Sequence, residues 1–246
     1  MLNTHTVDWD SYAEVYDLMA DNNPAYQDLI AQFKHAIAEW CIEPRSTLAD
    51  LGAGTGNFSI ELAQAFPKCH ITHLDANSDM NRLAKRKANA RYVKNLCFTT
   101  TDIGAAHFQS GGLAAISTVH ALYAFPHPRD VIAKMFDWLE PGGYLFACDA
   151  GRMGQLSKWV VYLLREFYRR QGLWRTAQFY YRARVVTQQN RLIAQAQRDG
   201  RYWTHTHAEF RAAIESAGFE ILAAHEAYRG NSDLIVAYKP ASRFLG

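Results

Sequence analysis

Alternating apolar runs and helical periods, a glycine-rich turn between the first strand and its helix, and a closely linked terminal strand pair predict one fold class. It is an α/β protein on a seven-stranded, mostly parallel sheet. The 246 residues are 49% apolar, 20% charged and 13% aromatic, which suits one globular domain over 1–246 and excludes fibrous, coiled-coil and disordered chains. A chain of this length buries about three quarters of its unfolded surface, so its core needs neither disulfides nor a metal.

The elements follow in order. Residues 1–46 form a helical cap, with helices expected at 9–19 and, opened by Pro24, at 25–40. Strands are expected at 47–51, 71–75, 97–101, 113–118 and 144–149. Helices alternate with them at 58–65, 79–88 and 130–140, the last ended by Pro141-Gly142-Gly143. Residues 151–205 break the alternation; they are helical in pattern and read as an insertion before the last helix. That helix, 208–217, begins with Thr206-x-x-Glu209 at capping-box spacing and is stopped by Gly218. Two strand-like runs, 219–228 and 233–239, are joined only by Arg229-Gly230-Asn231-Ser232, a link that forces antiparallel pairing.

Cys41, Cys69, Cys97 and Cys148 form no C-x-x-C pair and read as reduced thiols. The N-terminus lacks a secretory pattern, and no apolar stretch approaches the roughly 18 residues of a membrane span, so a cytoplasmic location is expected.

Chemistry is carried first by Asp50-Leu-Gly-Ala-Gly-Thr-Gly56, which follows a strand and opens a helix. Glycines at 52, 54 and 56 let backbone approach a ligand, although such a turn also serves plain packing. Asp75 ends the next apolar run, 19 residues after Gly56, where a carboxylate can accept from both hydroxyls of a ribose. The third glycine comes one residue too early for a dinucleotide-binding turn.

The glycine turn resembles the first motif of the class I S-adenosylmethionine-dependent methyltransferases, whose fold is Rossmann-like. The similarity continues through Leu74-Asp-Ala-Asn-Ser-Asp-Met80, Thr100-Thr-Asp-Ile103, the segment 119–128 and Leu139-Glu-Pro-Gly-Gly-Tyr-Leu145. It implies that Asp50, Gly52, Ala53, Gly54 and Gly56 serve the amino-acid half of the cofactor. Asp75 and Ala76 would serve its ribose, Asp102 and Ile103 its adenine, and Met80 the adenine face, with Val119 and His120 lining the site. Trp9-Asp-Ser-Tyr-Ala-Glu-Val-Tyr16 is similar to a stretch that closes over the cofactor carboxylate in many relatives, although Tyr12 and Tyr16 suit core packing equally well.

In many members Asn or Asp stands where this chain has His120, either a general base, a neutral hydrogen-bonding group or a histidine that only packs. The segment Ala105-Ala-His-Phe-Gln also lacks acids often found there. The resemblance implies in-line displacement of an activated methyl group by a small-molecule acceptor, with no metal or covalent residue. His120 is the candidate base, with Tyr123 and Tyr228 lining the pocket. His205-x-His207 is too little for a zinc site and suits a capping or loop role. Two other functions stay open: cyclisation or elimination releasing methylthioadenosine, and a catalytically silent regulatory subunit, against which the intact glycine turn, Asp75 and Asp102 argue.

The net charge of +2 conceals an asymmetry. Residues 152–184 carry Arg152, Lys158, Arg165, Arg169, Arg170, Arg175, Arg182 and Arg184 against Glu166, a net +7, leaving −5 elsewhere. Eight aromatic residues lie between Trp159 and Tyr181. The segment suits an amphipathic helix with a solvated charged face, a lid over the acceptor pocket, a surface for an acidic carrier protein or anionic lipid, or an oligomer contact. Aromatic walls suit a flat or greasy acceptor and arginines an anionic one. No nucleic-acid partner is expected.

Overall fold

The computed structural model describes residues 7–152, 156–182 and 184–241. Helix α1 (Trp9–Asn22) leads into α2 (Pro24–Ala38), whose start is set by Asn23. The Asn23 side-chain oxygen accepts the Ala25 N–H at 3.1 Å, and its amide donates to the Tyr228 hydroxyl at 2.7 Å. One buried asparagine thus caps a helix and ties it to a turn some 200 residues on.

The alternation then unfolds as β1 (Thr47–Leu51), α3 (Asn57–Ala65), β2 (His70–Asp75), α4 (Ser78–Ala90), β3 (Leu96–Thr100), β4 (Leu113–Val119), α5 (Pro128–Trp138) and β5 (Leu139–Asp149). Helices α6 (Leu156–Arg182) and α7 (Arg184–Arg198) fill most of the expected insertion. The chain finishes with α8 (His207–Ser216), β6 (Glu220–Ala227) and β7 (Ser232–Tyr238). The sheet runs β3-β2-β1-β4-β5-β7-β6, with β1 to β5 parallel and β7 antiparallel to both neighbours. This is the predicted seven-stranded architecture with its terminal antiparallel hairpin. The capping box of α8 forms as its spacing predicts.

Most boundaries fall within one to three residues of expectation, and one differs in kind. Helix α5 stops at Trp138 rather than 140, and β5 begins at once with the fully buried Leu139 paired to Leu113. Pro141-Gly142-Gly143 therefore lies inside the strand, where the register shifts before Ala115 meets Tyr144. Gly142 takes φ +86° there, and its N–H donates to the Lys239 carbonyl at 2.7 Å. Burial of Leu139 outweighs the turn propensity of the proline and glycines, which form a bulge.

Apolar side chains cover both sheet faces. Val131, Ile132 and Met135 of α5 join Phe210 and Ile214 of α8 on one side. On the other, Leu29, Phe33 and Ile37 of α2 pack with Phe58 and Leu62 of α3. Phe33 sits edge-on to Phe58 at 5.2 Å and to Phe146 at 4.8 Å and is fully buried. Phe33→Ala is expected to cost about 3–5 kcal/mol, read as a lowered urea midpoint with an unchanged slope.

Candidate functional site

Strands β1 and β4 are neighbours, yet the chain leaves them toward opposite edges of the sheet. Loops diverging from such a pair leave a crevice at the strands' C-terminal ends. Two cavities open there.

The first, about 230 Å³, is lined by the turn after β1, the end of β2 and the loop after β4. At Gly52 a Cβ would sit 2.4 Å from the Ala121 Cβ and 2.9 Å from the Phe125 ring, so the loops touch because this residue has no side chain. Gly54 differs: at φ +55° a Cβ would meet nothing within 4 Å, and the bare backbone faces open cavity. Gly56 lies outside the lining, its absent Cβ aimed at Ala84 of α4 at 2.9 Å, so it serves helix packing.

The acids divide by burial. Asp75 reaches the cavity half-buried; its Oδ2 accepts the Gly54 N–H and its Oδ1 the Asn77 N–H, each at 2.8 Å. Burial raises its pKa, opposed by those two N–H groups. Asp50 is sealed beneath the turn, where its carboxylate accepts the Ser59 hydroxyl at 2.5 Å and the Ser117 hydroxyl at 2.7 Å. Burial pushes it up to about 6. Ser59 also meets Nδ1 of the buried His73 at 2.8 Å, and burial holds His73 down at about 4. Asp50 borders the cavity, but both oxygens bond inward, so it supports the turn from below. Asp102 stands exposed on the rim, bonded to the Gly104 N–H at 2.7 Å. Buried Met80 and Ile103, with Ala53, Ala76 and Val119, supply apolar wall.

Tyr16 lines both cavities; the Tyr12 side chain lies outside the described residues. Sequence reasoning missed Asp17. Its Oδ1 accepts the Thr55 hydroxyl at 2.6 Å and Lys87 Nζ at 2.8 Å, fastening α1 to the glycine turn. Lys87 also donates to Asn57 at 2.6 Å, and burial lowers its pKa.

The second cavity, about 200 Å³, brings His120, Tyr123 and Tyr228 together. Trp9, Tyr16, Tyr26 and His120 border both spaces and form their common wall. His120 holds φ +53°, and its Nε2 is 2.8 Å from the Ser232 hydroxyl. Its Nδ1 has no partner among the described residues. Burial pushes it from 6.5 down to about 4, so the ring is neutral at neutral pH. Tyr228 packs edge-on to His120 at 4.9 Å and lies 4.8 Å from Trp159. The Tyr123 backbone N–H donates to Asp149 at 3.2 Å, and its ring packs on Tyr202.

Helices α6 and α7 wall this cavity with Trp159, Phe179, Tyr180, Thr187 and Asn190. Helix α6 is broken at Gly172 (φ +75°, ψ 176°) and doubles back, stacking Phe167 on Phe179 at 3.8 Å. The Tyr180 hydroxyl donates to the Val160 carbonyl across the same seam at 2.7 Å. Of the described basic residues of 152–184, Arg152 alone lines the cavity, already paired with Asp233 at 2.7 Å and Glu226 at 3.2 Å.

His205 lies in the loop before α8, but its ring is not a surface loop group. Buried between Trp203 and Phe210, it meets Asp149 at 3.2 Å and Asp233 at 3.5 Å, while His207 reaches Asp233 at 3.0 Å. The helix cap comes from Thr206 instead. A sequence sign existed: Asp149 and Asp233 each close or open an apolar strand, and a buried acid demands a partner. No metal-holding cluster occurs among the described residues.

Residues 48–143 match the family described as methyltransferase domain. The chain is 38% identical over 103 residues to trans-aconitate 2-methyltransferase of Deinococcus radiodurans, covering 42% of this chain and 37% of that protein. It is 33% identical over 151 residues to malonyl-[acyl-carrier protein] O-methyltransferase of Bacillus anthracis, covering 61% and 51%. The chain therefore spans about half the length, or less, of these curated relatives. The crystal structure of the [4+2]-cyclase SpnF shares the fold with a TM-score of 0.64 at 13% identity, over 95% of this chain and 94% of that one.

Because His120 is neutral when folded and its pKa is depressed, it adds stability above pH 6.5 that is lost as pH falls through about 4. His120→Asn keeps a residue that tolerates positive φ and removes the titration. Its stability deficit relative to the native chain is expected to shrink by up to about 3 kcal/mol between pH 7 and pH 4, measured by urea unfolding. Asp50 and His73 titrate alike in both proteins and cancel.

Proposed function

We propose that this chain is a class I S-adenosylmethionine-dependent methyltransferase and that it methylates a small-molecule acceptor held in the second cavity, a reading supported by the methyltransferase-domain match over residues 48–143. The observation carrying this reading is that the two cavities share one wall, with His120 in it.

The first cavity fits the cofactor. Gly54 presents backbone to open space, Asp75 offers a carboxylate to a ribose diol, and Met80 with Ile103 offers an apolar slot beside the rim carboxylate of Asp102. When bound there, S-adenosylmethionine supplies an activated methyl group. Asp17, Lys87 and Thr55 keep α1 clamped over the turn, with Tyr16 and Trp9 at the boundary.

On the acceptor side, the hydrogen bond to Ser232 occupies Nε2 of His120 and leaves Nδ1 to accept from an acceptor O–H or N–H. At about 4 the imidazole is a weak base, so its first task is to orient the nucleophile, taking the proton as the acceptor becomes acidic along the reaction. Trp159, Tyr228, Phe179 and Tyr180 exclude water and favour a flat or apolar acceptor. Helices α6 and α7 act as a lid. An anionic group on the acceptor would have to compete with Asp233 and Glu226 for Arg152.

The purified chain is expected to bind S-adenosylhomocysteine by calorimetry, with Asp75→Ala weakening binding about 10- to 100-fold. Turnover should yield S-adenosylhomocysteine; methylthioadenosine as the product would overturn methyl transfer, and no affinity for either cofactor form would overturn the cofactor assignment. Trp159→Ala is expected to raise the acceptor KM about tenfold while leaving S-adenosylhomocysteine affinity unchanged, since Trp159 lines only the second cavity.

A further inference from the structure

We propose that the apex of the α6 hairpin docks on an anionic lipid membrane surface. The reversal at Gly172 makes this apex, and the Thr176 hydroxyl closes it by donating to the Gly172 carbonyl at 2.7 Å. Two large apolar side chains stand there with most of their surface in water, Trp174 at 87% and Leu173 at 74% exposed, beside Tyr168 at 60%. Arg169, Arg170 and Arg175 adjoin them in sequence on either side of the reversal and are exposed. None of these six residues lines either cavity, so the acceptor site does not account for them.

Aromatic and aliphatic side chains ringed by arginines match the boundary between lipid headgroups and acyl chains. Indole and phenol rings settle at that depth while guanidinium groups meet phosphates. Helix α6 carries six basic residues against Glu166 as its one acid, and Glu166 serves both Arg169 (3.4 Å) and Arg170 (3.7 Å) at long range. Arg175 has no ion-pair partner among the described residues. The patch therefore presents uncompensated positive charge to an anionic surface.

A second copy of the chain fits poorly. A two-fold contact would set this basic apex against its own image and bring like charges together. A carrier peptide needs a groove or a sheet edge, whereas this apex is a helical reversal whose exposed side chains line neither cavity. No helix among the described residues is long and apolar enough to cross a membrane, so the contact is peripheral.

The test is cosedimentation of the full chain with phosphatidylcholine vesicles and with vesicles of phosphatidylcholine and phosphatidylserine, at low and high salt. Binding is expected to the acidic vesicles alone and to fade with salt. Replacing Arg169, Arg170 and Arg175 together by Gln should lower partitioning about a hundredfold, roughly fivefold per charge. Trp174→Ala should lower it about tenfold. Unchanged circular dichroism and S-adenosylhomocysteine affinity separate loss of docking from loss of fold. Binding to neither vesicle, equal binding to both, or variants that bind like the native chain overturns the proposal. So does a dimer in the ultracentrifuge that Trp174→Ala dissolves, which would assign the apex to self-association. The salt dependence of the native chain decides the matter even where a variant fails to fold.

Discussion

The close approach of the loops after β1 and β4 governs the site. With 2.4 Å between the position of a Gly52 Cβ and that of Ala121, any side chain would prise the loops apart. That contact closes the bottom of the crevice left where the strand order reverses. It sets His120, one residue before Ala121, between the two cavities. The positive φ of His120 belongs to the same constraint, since the chain must turn sharply from β4 to keep Ala121 against the turn.

Support for this junction comes from polar groups beneath and beside the glycine turn. Asp50, Ser59, His73 and Ser117 lie under the glycine turn, and Asp17 with Lys87 grips it from α1. On the other side, His205 draws the ends of β5 and β7 together through Asp149 and Asp233. Gly151 belongs to this arrangement, because a Cβ there would lie about 2 Å from the His205 ring. A partly satisfied set of buried charges is costly, so these groups hold the strand ends in one geometry.

The insertion divides its aromatic residues between two surfaces. Trp159, Phe179 and Tyr180 face the second cavity, whereas Tyr168 and Trp174 stand at the opposite end of the hairpin. The charge asymmetry of the sequence follows the same division in part: Arg169, Arg170 and Arg175 stand exposed at the apex, and of the described basic residues of 152–184 the cavity keeps only Arg152, paired with Asp233 and Glu226.

The sequence by itself determined the sheet, its terminal hairpin, the order of the motifs and, through the resemblance they carry, about half of the residues that line the first cavity. Periodicity, glycine placement and strand-ending acids are local signals, encoded over a few neighbouring positions. Tertiary structure alone decided that Gly56 packs on Ala84 and that Asp50 turns inward. It also decided that Pro141-Gly142-Gly143 bulges within a strand and that His205 is buried between two acids. Each of these depends on a partner distant in sequence, Ala84, Ser117, Lys239 or Asp233, and a linear pattern carries no record of which distant group arrives. The protonation of His120 is the plainest case: its sequence neighbours leave it an ordinary imidazole, and only enclosure by the folded chain pushes it down to about 4.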